Sequence, residues 1–97
     1  MRTVRFTQLA RQELIEAQDW YEAEAPGLGR RFRAEVDRAV QRIAGNPFQF
    51  PTILKDLRRA RVNVFPYSLF FAAEVDEILI IACFHSSRDP QHWQERV

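Results

Sequence analysis

Seven consecutive apolar residues, Ile78-Leu79-Ile80-Ile81-Ala82-Cys83-Phe84, constrain this chain more than any other feature. The run is far short of the ~20 residues a membrane helix needs. A strand that is apolar on both faces belongs inside a sheet covered on both sides. The sequence before it must therefore supply neighbouring strands and at least one covering layer.

The first half supplies the layer. Thr3 to Phe6 alternates and reads as a short strand, and Thr7 stands where a helix N-cap belongs. From Gln8 to about Ala25, the residues Ala10, Leu14, Ala17 and Tyr21 recur on one helical face. Pro26-Gly27-Leu28-Gly29 breaks that helix. A second follows on the stripe Phe32, Val36, Ala39/Val40 and Ile43, and Gly45-Asn46-Pro47 ends it. Two amphipathic helices across a short break form an αα-hairpin.

The period then changes from 3.6 to 2. After a loop from Pro47 to Pro51, Ile53-Leu54 and Leu57 to Val64 read as strand. Alternation places Arg59, Arg61 and Asn63 on one face and Arg58, Ala60, Val62 and Val64 on the other. Phe65-Pro66 interrupts the ladder; Tyr67 to Glu74 and Ile78 to Phe84 are the remaining strands, joined by Val75-Asp76-Glu77. Asp89-Pro90 opens a short C-terminal helical turn through Arg96. The expectation is one α+β domain over residues 1–97, ordered β-α-α-β-β-β. Its αα-hairpin lies on one face of a mostly antiparallel four-stranded sheet. The opposite face is expected to be covered in part by the Phe48/Phe50 loop and the Trp93 segment, and completed by a second protein.

Charge is distributed unevenly behind a net +1. Residues 13–24 carry five acids and no base; residues 30–42 and 55–61 each sum to +3. Thirteen of the fourteen basic residues are Arg, whose planar fork suits carboxylate or phosphate. The acids of the first helix read as a solvated face opposite its apolar stripe. One cysteine excludes an internal disulfide, and the N-terminus has no apolar run of a secretory signal, so a reducing cytoplasm is the expected location. No metal or cofactor is expected: His85 and His92 are poorly spaced for a metal, and no phosphate-binding or dinucleotide motif is present.

One constellation could do chemistry. Arg58, Arg59, Arg61, Tyr67, His85 and Arg88 converge if their strands are neighbours. Guanidiniums would hold a phosphate while His85 moved a proton, the minimum apparatus for cleaving RNA at a 2′-hydroxyl. The plainer alternative makes Arg59 and Arg61 solvent-side strand residues, with His85 and Arg88 tying down a loop. Cys83 and His85 share a face, but a buried apolar cysteine is commoner than a nucleophile.

These pieces together resemble the RelE/ParE toxins, and within them the ParE-like plasmid-stabilisation proteins. The similarity covers nearly the whole chain. It rests on Phe6-x-x-x-Ala10 with Glu13-Leu14, Trp20-Tyr21, Gly27-Leu28-Gly29 before Phe32, and Ile43-x-x-x-Pro47. It continues through Arg58-Arg59, Phe65-Pro66-Tyr67 and His85-x-x-Arg88-Asp89-Pro90-x-x-Trp93-x-x-Arg96. The resemblance implies a cognate antitoxin as partner and no membrane association. ParE-like members poison DNA gyrase; RelE-like members cut messenger RNA in the ribosomal A site. A single Lys, the small net charge and the His-x-x-Arg-Asp-Pro ending point to the ParE branch, whereas His85 keeps the endoribonuclease as the alternative. Trp20, Phe71, Trp93 and Arg96 are the expected partner-binding residues.

Overall fold

The structure is a computed structural model that describes residues 2–87 together with Gln94 and Arg96. The elements are β1 (Thr3–Phe6), α1 (Gln8–Glu24), α2 (Leu28–Gly45), a 3-10 turn (Pro47–Gln49), β2 (Thr52–Leu54), β3 (Leu57–Arg61), β4 (Tyr67–Ala73) and β5 (Glu77–His85). The expected C-terminal helical turn, with Arg88 and Trp93, lies outside the described residues.

Local chemistry sets the helix ends. The Thr7 hydroxyl accepts the Ala10 N–H at 3.1 Å, capping α1. The cap of α2 comes from the first helix instead. The Glu22 carboxylate accepts the N–H of Gly27 at 2.9 Å and of Gly29 at 3.0 Å, holding the start of α2 against α1. Two glycines make this junction possible. Gly27 adopts φ 87, and a Cβ on Gly29 would meet the Gln18 carbonyl oxygen at 2.6 Å.

The sheet runs β1-β5-β4-β3-β2, with β1 parallel to β5 and the other pairs antiparallel. It has five strands where the sequence suggested four. The stretch from Ile53 to Val64 folds back on itself at Lys55, which takes φ 52, and Leu54 pairs with Leu57. The ladder also ends at Arg61, because Val64 takes φ 75 and the chain turns so that Val62 N–H reaches the Tyr67 carbonyl at 2.9 Å. The α+β design with its helical hairpin on one face is unchanged.

A β-bulge places the residues of β5. Phe70 pairs with Ala82 and Phe71 with Ile80, leaving Ile81 unopposed. The extra residue inverts the alternation. Ile78, Ile80 and Cys83 join Ala10, Leu14, Phe32, Val36 and Ile43 in the core beneath the helices. Ala82 and Phe84 join Leu57 and Phe70 on the other face.

That other face corrects an expectation. Leu57, Phe70, Ala82 and Phe84 are each at most 4% exposed, with Ile53, Leu54 and Ile81 packed against them. These four side chains are covered within the chain, while Ile53, Leu54 and Ile81 stay partly exposed at the margin of the same face. Arg96 contributes, its guanidinium 4.8 Å from the centre of the Phe84 ring. Phe50 takes no part, because it packs edge-on to Phe71 in the main core.

Candidate partner-binding surface

Strand register decides whether the arginines and His85 form one site. Tyr67 lies opposite His85, their rings edge to face at 5.2 Å. Tyr67 packs against Phe32 and Tyr21, so this pair is on the helix side. Arg61 lies opposite Ser68, and Ser68 opposite Phe84, so Arg61 and Arg59 are on the reverse face. The expected constellation is thus divided by the sheet.

Arg58 does not bridge the division. It shares a face with Phe71, four residues and ~13 Å along the strand from Tyr67. Its guanidinium donates to the Phe50 carbonyl and lies 5.1 Å from the Phe48 ring, with Arg2 5.0 Å from the same ring. These contacts fasten the loop between α2 and β2. Arg59 and Arg61 form no ion pair among the described residues, and they border a concavity of about 440 Å³ that Tyr67, Val64 and Ser86 also line, while His85 does not.

His85 is held by its own loop. Its Nδ1 accepts the Ser87 N–H at 3.0 Å, with the Ser87 hydroxyl at 2.7 Å. A backbone N–H can only donate, so in this arrangement the ring proton sits on Nε2. Cys83 below it is no nucleophile: burial, then the charge of Glu13, pushes its thiol up to about 12. Among the described residues no group of three His, Cys, Asp or Glu could hold a metal.

The expected partner-binding residues fare differently. Trp20 is 58% exposed on the flank of α1 beside the ends of β4 and β5. Phe71 is 0% exposed, fixed between Ile80 and Phe50, and offers a partner nothing. Two consecutive phenylalanines on a strand covered on both sides go one to each core. Arg96 is committed within the chain. It meets Glu13 through two contacts of 3.0 and 2.9 Å and donates to the Ile81 carbonyl at 2.9 Å.

Glu13 is the residue that the sequence misplaces. It flanks the apolar stripe of α1 rather than opposing it, and its carboxylate also accepts the Cys83 N–H at 3.1 Å. The reason lies in β1, which pairs with β5 only as far as Ile80. Beyond that point the β5 edge would present unpaired backbone groups, a cost when partly buried. Glu13 and Arg96 supply the missing donor and acceptor. The sequence signal was present, since Glu13 lies three residues after Ala10 and directly precedes Leu14.

Between α1 and the ends of β4 and β5 lies a cleft of about 210 Å³, lined by Glu13, Glu16, Trp20, Tyr67, Cys83 and His85. It is the concavity nearest the exposed Trp20.

A helical hairpin on one face of a five-stranded mixed sheet is the α+β class that the sequence resemblance implies. The model of the family described as ParE toxin of type II toxin-antitoxin system, parDE, matches residues 4–90, and the chain belongs to that family. A solved structure of the chromosomal ParDE TA system from P. aeruginosa is similar in fold, with TM-score 0.77 and 19% identity. The match covers 88% of this chain and 96% of that one. No curated protein matches by sequence. The protein is therefore the toxin of a type II toxin–antitoxin module, with an antitoxin as its partner. Among the described residues no helix is long and apolar enough to cross a membrane.

Proposed function

We propose that this toxin acts in the cytoplasm by binding rather than by cutting, and that its target is DNA gyrase, from which the cognate antitoxin withholds it. One observation carries the reading against a nuclease. The phosphate-holding arginines, Arg59 and Arg61, and the only described imidazole, His85, lie on opposite faces of the sheet. A general acid or base must come within about 3 Å of the proton it moves. A layer of backbone stands between these groups.

The exposed chemistry is that of a protein contact: a large aromatic on an acidic helix on one side, two arginines without ion pairs among the described residues on the other. The gyrase assignment itself comes from the ParE membership and the small net charge.

Supercoiling of relaxed plasmid by purified gyrase, with no ribosomes present, tests it. Added toxin should inhibit, and prior addition of antitoxin should prevent inhibition. His85→Ala and Arg61→Ala should both retain growth arrest. Full supercoiling at saturating toxin, together with transcript cleavage that His85→Ala abolishes, would reverse the assignment in favour of the RelE-like endoribonuclease.

A further inference from the structure

The cleft beside α1 has dimensions and chemistry that restrict what can enter it. At about 210 Å³ it falls below the roughly 300–1,000 Å³ of pockets that take drug-sized ligands. It is the size of one amino-acid side chain. Trp20 stands at its rim, more than half exposed, and Tyr67 and His85 present an edge-to-face aromatic wall opposite.

Charge selects among side chains. Glu13 is already matched by Arg96, whereas among the described residues Glu16 meets only the neutral Gln12 amide, at 3.2 Å. Glu16 and the neighbouring Asp19 form no ion pair among the described residues, and no base occurs between residues 13 and 24. An acidic side chain entering here meets repulsion. An apolar one would desolvate Glu16 without compensation. A cation can lie against an aromatic face and reach the Glu16 carboxylate at once.

We propose that this cleft is the anchor point for an arginine side chain of a protein partner, stacked on Trp20 and paired with Glu16. Arginine is favoured over lysine because its planar guanidinium can stack and hydrogen-bond in fixed directions together. Arginine and tryptophan are both among the residue types enriched at interface hot spots. The inference rests on the toxin's engaging a protein partner through α1, and not on that partner's being gyrase.

The test uses a probe of known chemistry. Isotope-labelled toxin is titrated with N-acetyl-arginine amide and, in parallel, with its lysine, leucine and glutamate counterparts. The reporters are the resonances of the Trp20 indole N–H and the His85 ring. The arginine probe should give saturable shifts at roughly millimolar to tens-of-millimolar concentration, as suits so small a ligand. The lysine probe should bind more weakly, and the leucine and glutamate probes should give none. Glu16→Gln and Trp20→Ala, both at exposed positions, should fold normally and each weaken the arginine probe about tenfold. Leucine binding as well as arginine, an arginine titration that never saturates, or indifference to Glu16→Gln would each overturn the proposal. Arginine binding without gyrase inhibition would sink only the gyrase reading. Gyrase inhibition with a cleft blind to arginine would sink only this one.

Discussion

Replacing Glu13 by alanine removes the acceptor at the centre of three contacts and exposes how much the β5 edge depends on them. The side chains of Glu13 and Arg96 are 9% and 20% exposed, so the pair is mostly shielded from water. Breaking a buried pair from one side costs about 3–5 kcal/mol, because the remaining charge is left uncompensated. The Cys83 N–H loses its partner too, a penalty of about 1–3 kcal/mol when no water replaces it. These costs overlap, and Arg96 keeps the Ile81 carbonyl and a route to solvent, which places the sum near the low end. We expect a loss of about 3 kcal/mol, a large share of the ~5–15 kcal/mol available to a small domain. At about 4–8 °C per kcal/mol this lowers Tm by roughly 12–24 °C. Urea unfolding of both proteins at neutral pH reads the difference, and an unchanged slope would show that only stability has moved. Glu13→Leu combined with Arg96→Met should recover only the part due to the unpaired charge, since the Cys83 N–H and the Ile81 carbonyl stay without partners. A Glu13→Ala protein within about 0.5 kcal/mol of the parent, the range of ordinary surface changes, would refute the account of this edge.

Gly29→Ala should cost about 2–3 kcal/mol in a thermal melt, because the new Cβ would stand 2.6 Å from the Gln18 carbonyl; an unaltered Tm would mean the hairpin is looser than described. Val64→Gly should raise the urea midpoint by the equivalent of about 0.5–1 kcal/mol. It relieves a β-branched residue held at φ 75 and 73% exposed, against the smaller entropy cost of glycine, and a lowered midpoint would contradict this. Cys83, its thiol held near 12 by burial, should resist alkylation at mildly alkaline pH until the protein unfolds; rapid labelling of the native protein would count against it. Glu22 is held below the usual carboxylate range chiefly by the Gly27 N–H, with smaller help from Gly29 and Arg30. Its folded pKa lies below its unfolded one, so its contribution is present above the unfolded pKa and lost as pH falls through the folded one. Glu22→Gln should therefore be less sensitive to acid than the parent, and identical acid limbs would show that the carboxylate does not matter there.

The two helices were readable because their information is local. The 3.6-residue stripes from Ala10 to Tyr21 and from Phe32 to Ile43 are the surfaces that pack on the sheet, and Thr7 caps α1 as expected. The remaining features depend on neighbours distant in sequence or on unusual backbone. Lys55 turns β2 back onto β3 with positive φ, a conformation signalled by Gly or Asn but not by lysine. The bulge at Ile81 reverses which residues face the helices, and nothing in an unbroken apolar run marks where alternation skips. Periodicity offers Phe71 as a surface residue, but on a strand covered on both sides alternation does not separate inside from outside, and Phe71 is buried. Glu13 and Arg96 meet across 83 residues, beyond any pattern a local window can detect. The candidate constellation was divided for the same reason: the faces that Arg59, Arg61 and His85 occupy are set by strand register, which the sequence does not display.

Cover over the second face changes what kind of partner surface remains. A sheet with one bare apolar side would recruit by hydrophobic burial, with little discrimination. Here the centres of both apolar faces are covered, and what is left outside combines scattered apolar side chains such as Leu9, Ile15 and Val75 with a polarised charge distribution. The acidic flank of α1 carries Trp20, and the reverse side of β3 carries Arg59 and Arg61 without ion pairs among the described residues. Contacts of that sort are read by charge and shape, which governs encounter rate and the rejection of wrong partners more than raw affinity. The two sides communicate through the end of the sheet, where Val62, Pro66 and Tyr67 hold the turn and the Ser86 N–H binds the Pro66 carbonyl at 2.7 Å. Arg59 and Arg61 cannot meet His85 on one phosphate while the Tyr67–His85 pair keeps its place in the aromatic cluster around Phe32 and the sheet separates the two faces. Binding a protein at either side requires no change in that arrangement.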